Sequence, residues 1–136
     1  IIHISENKIV SEKSDLQAFE FDATDCPDLF PPLVSLAAYC NGTSVIKGTH
    51  RLLHKESNRK DALQNEFAKI GIRIYSKDDL MYVEGGQVTQ GKVNSNNDHR
   101  IAMATAVAAL GADGPVEIEN SNCVTKSYTN FYMDIK

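Results

Sequence analysis

The 136 residues are enough for one domain, or part of one, with a core of its own. A formal net charge of -4 without any basic run excludes a general nucleic-acid or membrane-surface binder, so any anion site must be local. No apolar run approaches the length of a membrane span, and the start lacks the basic-then-apolar pattern of a secretory signal, so a cytoplasmic setting is expected.

The chain begins at Ile1 without a methionine and reads as an excised piece of a longer polypeptide. Its short runs Ile1-Ile2-His3-Ile4, Lys8-Ile9-Val10 and Leu16 through Phe21 predict strands, some in a hairpin. Asp25-Cys26-Pro27-Asp28 then opens a helix carrying Leu33, Val34, Leu36 and Ala37, with Pro31 and Pro32 in its first turn, where a missing N–H costs least. Asn41-Gly42 ends it; the Asn41-Gly42-Thr43 triplet matches a glycosylation acceptor but reads as a turn. Ser44 to Lys47 is a buried strand.

A helix follows from Arg59 to about Ile70-Gly71, with Leu63, Phe67 and Ile70 on its buried face and Ser57 at the N-cap. Ile72 to Tyr75 and Leu80 to Val83 predict two half-buried strands with Ser76 to Asp79 as the hairpin turn. After a loop with a strand near Gln87 to Val93, Asp98-His99-Arg100 opens an alanine-rich helix, which implies close packing on more than one side. Gly111 and Gly114-Pro115 end it, Val116 to Ile118 is a strand, and Lys126 precedes a last helical segment.

This order contains a repeat. Asp28, a helix, a strand and Lys55 recur about 70 residues later as Asp98, a helix, a strand and Lys126, with 27 residues between the first pair and 28 between the second. Two β-α-β-α units of this kind would bring their helix starts to one side. Asp28, Lys55 to Arg59, Asp98 to Arg100 and Lys126 are therefore candidates for one pocket.

Arg59, Arg100 and Lys126 are the candidate binders of a ligand carrying phosphate and carboxylate, since arginine offers a two-oxygen fork and lysine a mobile point charge. Lys55 adds a cation beside the free N–H groups of a helix start, although a well-capped, solvated surface helix would look the same. Asp28 and Glu56 are the candidate acid and base, and the neighbouring cations pull Glu56 toward ionisation. His99 fits either a structural hydrogen bond or proton transfer. His50 and His54 are four apart but offer no third ligand at useful spacing, and Cys26, Cys40 and Cys123 are widely spaced, reading as reduced thiols, so no metal site is expected. No nucleotide-binding glycine motif or nucleophile elbow is present, and no cofactor is expected.

Three stretches taken together, Lys55-Glu56-Ser57-Asn58-Arg59, Asn97-Asp98-His99-Arg100-Ile101-Ala102-Met103 and Cys123-Val124-Thr125-Lys126-Ser127-Tyr128, resemble the 5-enolpyruvylshikimate-3-phosphate synthase family, the 3-phosphoshikimate 1-carboxyvinyltransferases. The resemblance implies an α/β fold, part of one domain of a two-domain enolpyruvyl transferase, here about two repeated β-α-β-α-β-β units at roughly 22–84 and 87–136. It implies transfer of the enolpyruvyl group of phosphoenolpyruvate to the 5-hydroxyl of shikimate 3-phosphate, with release of phosphate and no cofactor. By resemblance, Asp28 matches a proton acceptor at the shikimate hydroxyls and Glu56 the proton donor to the enol carbon. Arg59, Arg100 and Lys126 match phosphoenolpyruvate ligands, His99 lines the same pocket, and Lys55 and Arg51 face the shikimate side.

Asn58 departs from the family's usual aspartate, Arg51 stands where some members have asparagine, and Thr129 replaces a frequent proline. The family's N-terminal Lys-Ser motif, a further arginine and most shikimate phosphate contacts lie outside this chain, so the piece alone is expected to be inactive and to need the missing N-terminal part. The alternatives are the related transferase acting on UDP-N-acetylglucosamine, which is not expected to combine Lys-Glu-Ser-x-Arg with Asp-His-Arg, and a non-catalytic anion-binding module that has kept the fold.

Overall fold

A computed structural model describes residues 2–136. In chain order the elements are β1 (Ile2–Ser5), β2 (Lys8–Ser11), β3 (Glu20–Asp22), α1 (Phe30–Ala37), β4 (Thr43–Lys47), α2 (Arg59–Ala68), β5 (Ile74–Lys77), β6 (Leu80–Glu84), β7 (Gly91–Asn94), α3 (His99–Ala109), β8 (Val116–Glu119) and α4 (Phe131–Asp134). Short 3-10 turns at Pro27–Leu29, Thr49–Leu52 and Ser121–Lys126 complete the chain. None of the described helices is long and apolar enough to cross a membrane.

Two β-α-β units carry the architecture. In the first, β3 lies parallel to β4 with α1 as the crossover; in the second, β7 lies parallel to β8 with α3 as the crossover. A parallel pair cannot be joined by a tight turn, which is why each unit spends a helix on the connection. The registers repeat: Glu20 lies opposite Val45 and Gly91 opposite Val116. The hairpin β5–β6 adds to β4, giving a four-stranded sheet of order β3-β4-β6-β5. The hairpin β1–β2 pairs with no other described strand, and its Ile2, Ile4 and Ile9 are exposed.

The core lies between the sheets and the helices, with Phe30, Val34, Ile46, Leu63, Phe67, Met81, Val83 and Ile101 fully buried. Small residues let α1 and α3 approach closely. Ser35, buried, donates from Oγ to the Ala104 carbonyl at 2.8 Å, and the Tyr39 hydroxyl donates to the Ala108 carbonyl, so one side chain of α1 and one of the turn after it hold the backbone of α3.

Several boundaries differ from the sequence expectation. The first helix begins at Phe30, after the 3-10 turn, because Pro31 and Pro32 lack N–H groups and fit only its first turn. The N-cap of α2 is Asn58, whose side chain accepts from Asp61 N, not Ser57. That helix closes at Ala68: Gly71 takes φ +85° and the Ile72 amide returns to the Phe67 carbonyl, while Ile70 stays buried beyond the end. The β5–β6 turn is only Asp78-Asp79, with Ser76 and Lys77 paired in the strand. β4 alternates between buried and exposed positions instead of being buried on both faces. Of the predicted run Leu16 to Phe21, only Glu20 and Phe21 belong to a strand, with Gln17 forming a single bridge to Asn41. Lys126 ends a 3-10 turn, and α4 starts only at Phe131.

Gly85 fixes how β6 meets the end of α1: a Cβ there would lie 1.8 Å from the Cys40 carbonyl oxygen and 2.9 Å from that of Ala37. The backbone must shift to admit any side chain. Gly85→Ala is expected to lower stability by about 3 kcal/mol, in the range of severe overpacking. Thermal unfolding followed by circular dichroism checks this, and an unchanged midpoint would refute the close approach.

Candidate active site

The helix starts of α2 and α3 meet, and the link between them is a buried ion pair. Asp98, the N-cap of α3, accepts from the Arg100 amide at 3.0 Å, as a capping aspartate does. Its carboxylate also receives Arg59 Nε at 2.7 Å, Arg59 Nη2 at 3.3 Å and the Ser57 hydroxyl at 3.1 Å. The Asp98 side chain is 0% exposed and that of Arg59 2%. Two full charges out of water survive only when paired and hydrogen-bonded throughout. Among the described residues no buried side-chain nitrogen or oxygen lacks a partner.

Asp28, on the 3-10 turn before α1, collects the remaining cations. Arg59 Nη1 donates to its Oδ1 at 2.7 Å, Arg100 Nη2 forms an ion pair with Oδ2 at 3.0 Å, and Lys55 Nζ lies 3.8 Å from Oδ1. Partial desolvation pushes the Asp28 carboxyl up, but the Arg59 hydrogen bond and the charges of Arg100, Lys55 and Arg59 outweigh it and hold the group below the ordinary carboxylate value. On the other side, His99 Nδ1 lies 3.0 Å from Glu56 Oε2, joining the loop before α2 to the first turn of α3. Lys126 Nζ donates to the Asn97 carbonyl at 2.8 Å, so its ammonium sits beside the residue that precedes the α3 cap.

Asp28, Lys55, Arg59 and Arg100 are thus in one network, with Glu56–His99 and Lys126 hydrogen-bonded around the same helix start. Arg51 is apart from it: exposed, on the 3-10 turn Thr49–Leu52 beside that of Asp28, with no side-chain partner among the described residues. The placement of Arg59 differs from an open fork, since its Nε and Nη2 already hold Asp98. Arg100 is half-buried and Lys55 and Lys126 are exposed, so these three cations, unlike Arg59, are open to solvent.

Sequence reading placed Asp98 at a helix start but not as an anchor of the site. An aspartate heading an alanine-rich helix signals a cap; nothing local signals that its other oxygen takes an arginine 39 residues away. Donor atoms of Glu56, Asp98 and His99 lie within 4.8 Å of one another, a spacing open to a metal. The Arg59 guanidinium on Asp98 opposes a cation there, and those carboxylate oxygens are already engaged. His50 pairs through Nδ1 with Asp79 at 2.8 Å.

Comparison with known proteins bears on this geometry. A family model described as EPSP synthase (3-phosphoshikimate 1-carboxyvinyltransferase) matches residues 1–135. The 3-phosphoshikimate 1-carboxyvinyltransferase of Thermococcus kodakarensis is 42% identical over 125 residues, covering 92% of this chain and 31% of the relative. That of Clostridium acetobutylicum is 42% identical over 134 residues, covering 98% and 31%. A solved EPSP synthase from Acinetobacter baumannii superposes with a TM-score of 0.70 at 32% identity, over 75% of this chain and 25% of that one. The enolpyruvyl transferase NikO from Streptomyces tendae, at 20% identity and a TM-score of 0.69 over 98% of this chain, shares the fold. The chain spans about a third of the length of the curated relatives it matches.

Removing one partner of the buried pair leaves the other charge stranded. Asp98→Ala is expected to lose about 3–5 kcal/mol of stability, read from urea unfolding. For Asp28 the pH dependence has a definite sign: a carboxylate held low contributes stability above its unfolded value and loses it as pH falls through the lowered folded value. Asp28→Asn should therefore have a lower urea midpoint than wild type at pH 7, with the gap closing in acid below about pH 4. A gap that persisted there would show that the ion pairs are not its source.

Proposed function

The chain belongs to the EPSP synthase (3-phosphoshikimate 1-carboxyvinyltransferase) family, and on that premise we propose that it forms one wall of an active site that moves the enolpyruvyl group of phosphoenolpyruvate to the 5-hydroxyl of shikimate 3-phosphate. The observation that carries this reading is the cluster itself: Lys55, Arg59 and Arg100 converge on Asp28, with Glu56–His99 and Lys126 beside them.

In this reading Arg100 changes partners. Without an anion it is paired to Asp28 Oδ2; a phosphoenolpyruvate carboxylate or phosphate offers it a two-oxygen acceptor instead. Losing that cation raises the proton affinity of Asp28, which suits it to take the proton of the attacking hydroxyl. Arg59, held by Asp98 and buried, keeps Asp28 in place and acts on the anion through its charge. Glu56, hydrogen-bonded to His99, gives a proton to the methylene carbon of phosphoenolpyruvate, and the 5-hydroxyl oxygen bonds to the neighbouring carbon, forming a tetrahedral adduct. Glu56, now a carboxylate, takes a proton from the new methyl group as the bond to the phosphate oxygen breaks, which restores the double bond and releases inorganic phosphate. Lys126 is the second phosphoenolpyruvate cation, and Lys55 and Arg51 lie toward the shikimate ligand.

We read residues 22–84 and 87–136 as two repeat units of one domain, and β1–β2 as the hairpin of a further unit whose neighbouring strand comes from polypeptide outside these residues. We place the reaction in the cytoplasm. The remainder of the enzyme supplies the other wall, so activity belongs to the complete polypeptide.

The test is phosphate release by the complete enzyme given both substrates. Its absence would end the reading. Arg100→Ala is expected to raise KM for phosphoenolpyruvate at least about tenfold, the worth of a charged hydrogen bond. Glu56→Gln should instead lower kcat about a hundredfold with KM little changed, as loss of a general acid does; the reverse split would make Glu56 a ligand.

A further inference from the structure

Lys126 reaches the helix start of α3 from a separate element, the 3-10 turn Ser121–Lys126, on a long and flexible stem. We infer that the buried Ser95 hydroxyl, acting through the Asn97 carbonyl, is the device that aims the Lys126 ammonium into the anion site; the inference rests on the reading of Lys126 as a phosphoenolpyruvate ligand.

Ser95 is fully buried, and its Oγ touches both loops that must be brought together. It accepts the Asn97 amide at 3.1 Å and donates to the Asn120 carbonyl at 3.0 Å. Asn120 is the residue from which the 3-10 turn bearing Lys126 departs. One hydroxyl therefore fixes the carbonyl that receives the ammonium and the start of the turn that delivers it.

The loop carrying that carbonyl is held in a conformation it would not choose freely. Asn96 and Asn97 are both left-handed, at φ 53° and 57°. Asparagine tolerates this better than most residues, but each such position still costs free energy. Asn96 is tied down by its amide to Asn94 Oδ1 at 2.7 Å and by its side-chain nitrogen to Glu66 Oε1 at 3.3 Å. The Asp98 amide returns to the Ser95 carbonyl at 3.0 Å, so the same residue braces the cap that grips Arg59. With one N–H of Lys126 spent on the Asn97 carbonyl, the other two remain for ligand oxygens. A lysine left free would have to give up the rotamer freedom of a four-carbon stem on binding.

Ser95 and Asn97 are accordingly positioning residues, and their loss should appear in KM more than in kcat. In the complete enzyme, Ser95→Ala and Asn97→Val are each expected to raise KM for phosphoenolpyruvate about tenfold. Asn97→Gly, which takes the left-handed conformation without strain and keeps the carbonyl, should bring KM back to within about twofold of wild type. On a Lys126→Ala background, Ser95→Ala should add no further rise in KM.

A rise on that background, or an unchanged KM in both Ser95→Ala and Asn97→Val while Lys126→Ala weakens binding, would overturn the brace and leave the role of Lys126 standing. An unchanged KM in Lys126→Ala would overturn both. Because Asn97 is exposed, its valine and glycine variants decide the matter even where Ser95→Ala does not fold.

Discussion

The buried pairing of Arg59 with Asp98 is the constraint on which the site depends. Arg59 opens α2 and Asp98 caps α3, so the pair fixes how those helix starts face each other. Both side chains are buried, and neither charge is tolerable alone. A third group, Asp28, is then held against the outer nitrogen of the same guanidinium. The outer cations, Lys55 and Arg100 on Asp28 and Lys126 on the Asn97 carbonyl, are set relative to that buried centre.

The repeat explains why such a centre forms at all. Two parallel strand pairs, each crossed by one helix, place their loops at the same ends of their strands. The loop after β3 carries Asp28, and the loop after β7 ends on Asp98, with His99 and Arg100 in the first turn of α3. Close packing of α1 on α3, with Ser35 and Tyr39 holding carbonyls of the opposite helix, brings those loops together. Small residues in the helices and acids at their starts thus act in concert: the first permit the approach, the second use it.

Much of this was legible in the residues, because it rests on local chemistry. Alanine-rich composition located α3, Asp98 announced its start, and Leu63 and Phe67 gave the buried face of α2, while Ile70 is buried past the helix end. What escaped was non-local or competitive. Ser57 and Asn58 are both good caps, and the structure uses Asn58 for the helix and sends Ser57 across to Asp98. Arg59 was legible as a cation, but its engagement by a carboxylate 39 residues away was not. Ser95 had no signal at all, since a buried serine in a polar loop resembles any turn residue until its two partners are seen.

The hairpin β1–β2 bears on how this polypeptide behaves by itself. Ile4 faces Ile9 across the ladder, with Ile2 on the same side, and neither strand pairs with any other described strand. Backbone groups left open along a strand edge beside exposed apolar side chains are a template for another strand to add. Within the described residues this hairpin is thus the edge left open to pairing, and its exposed isoleucines are the side chains that such a pairing would cover.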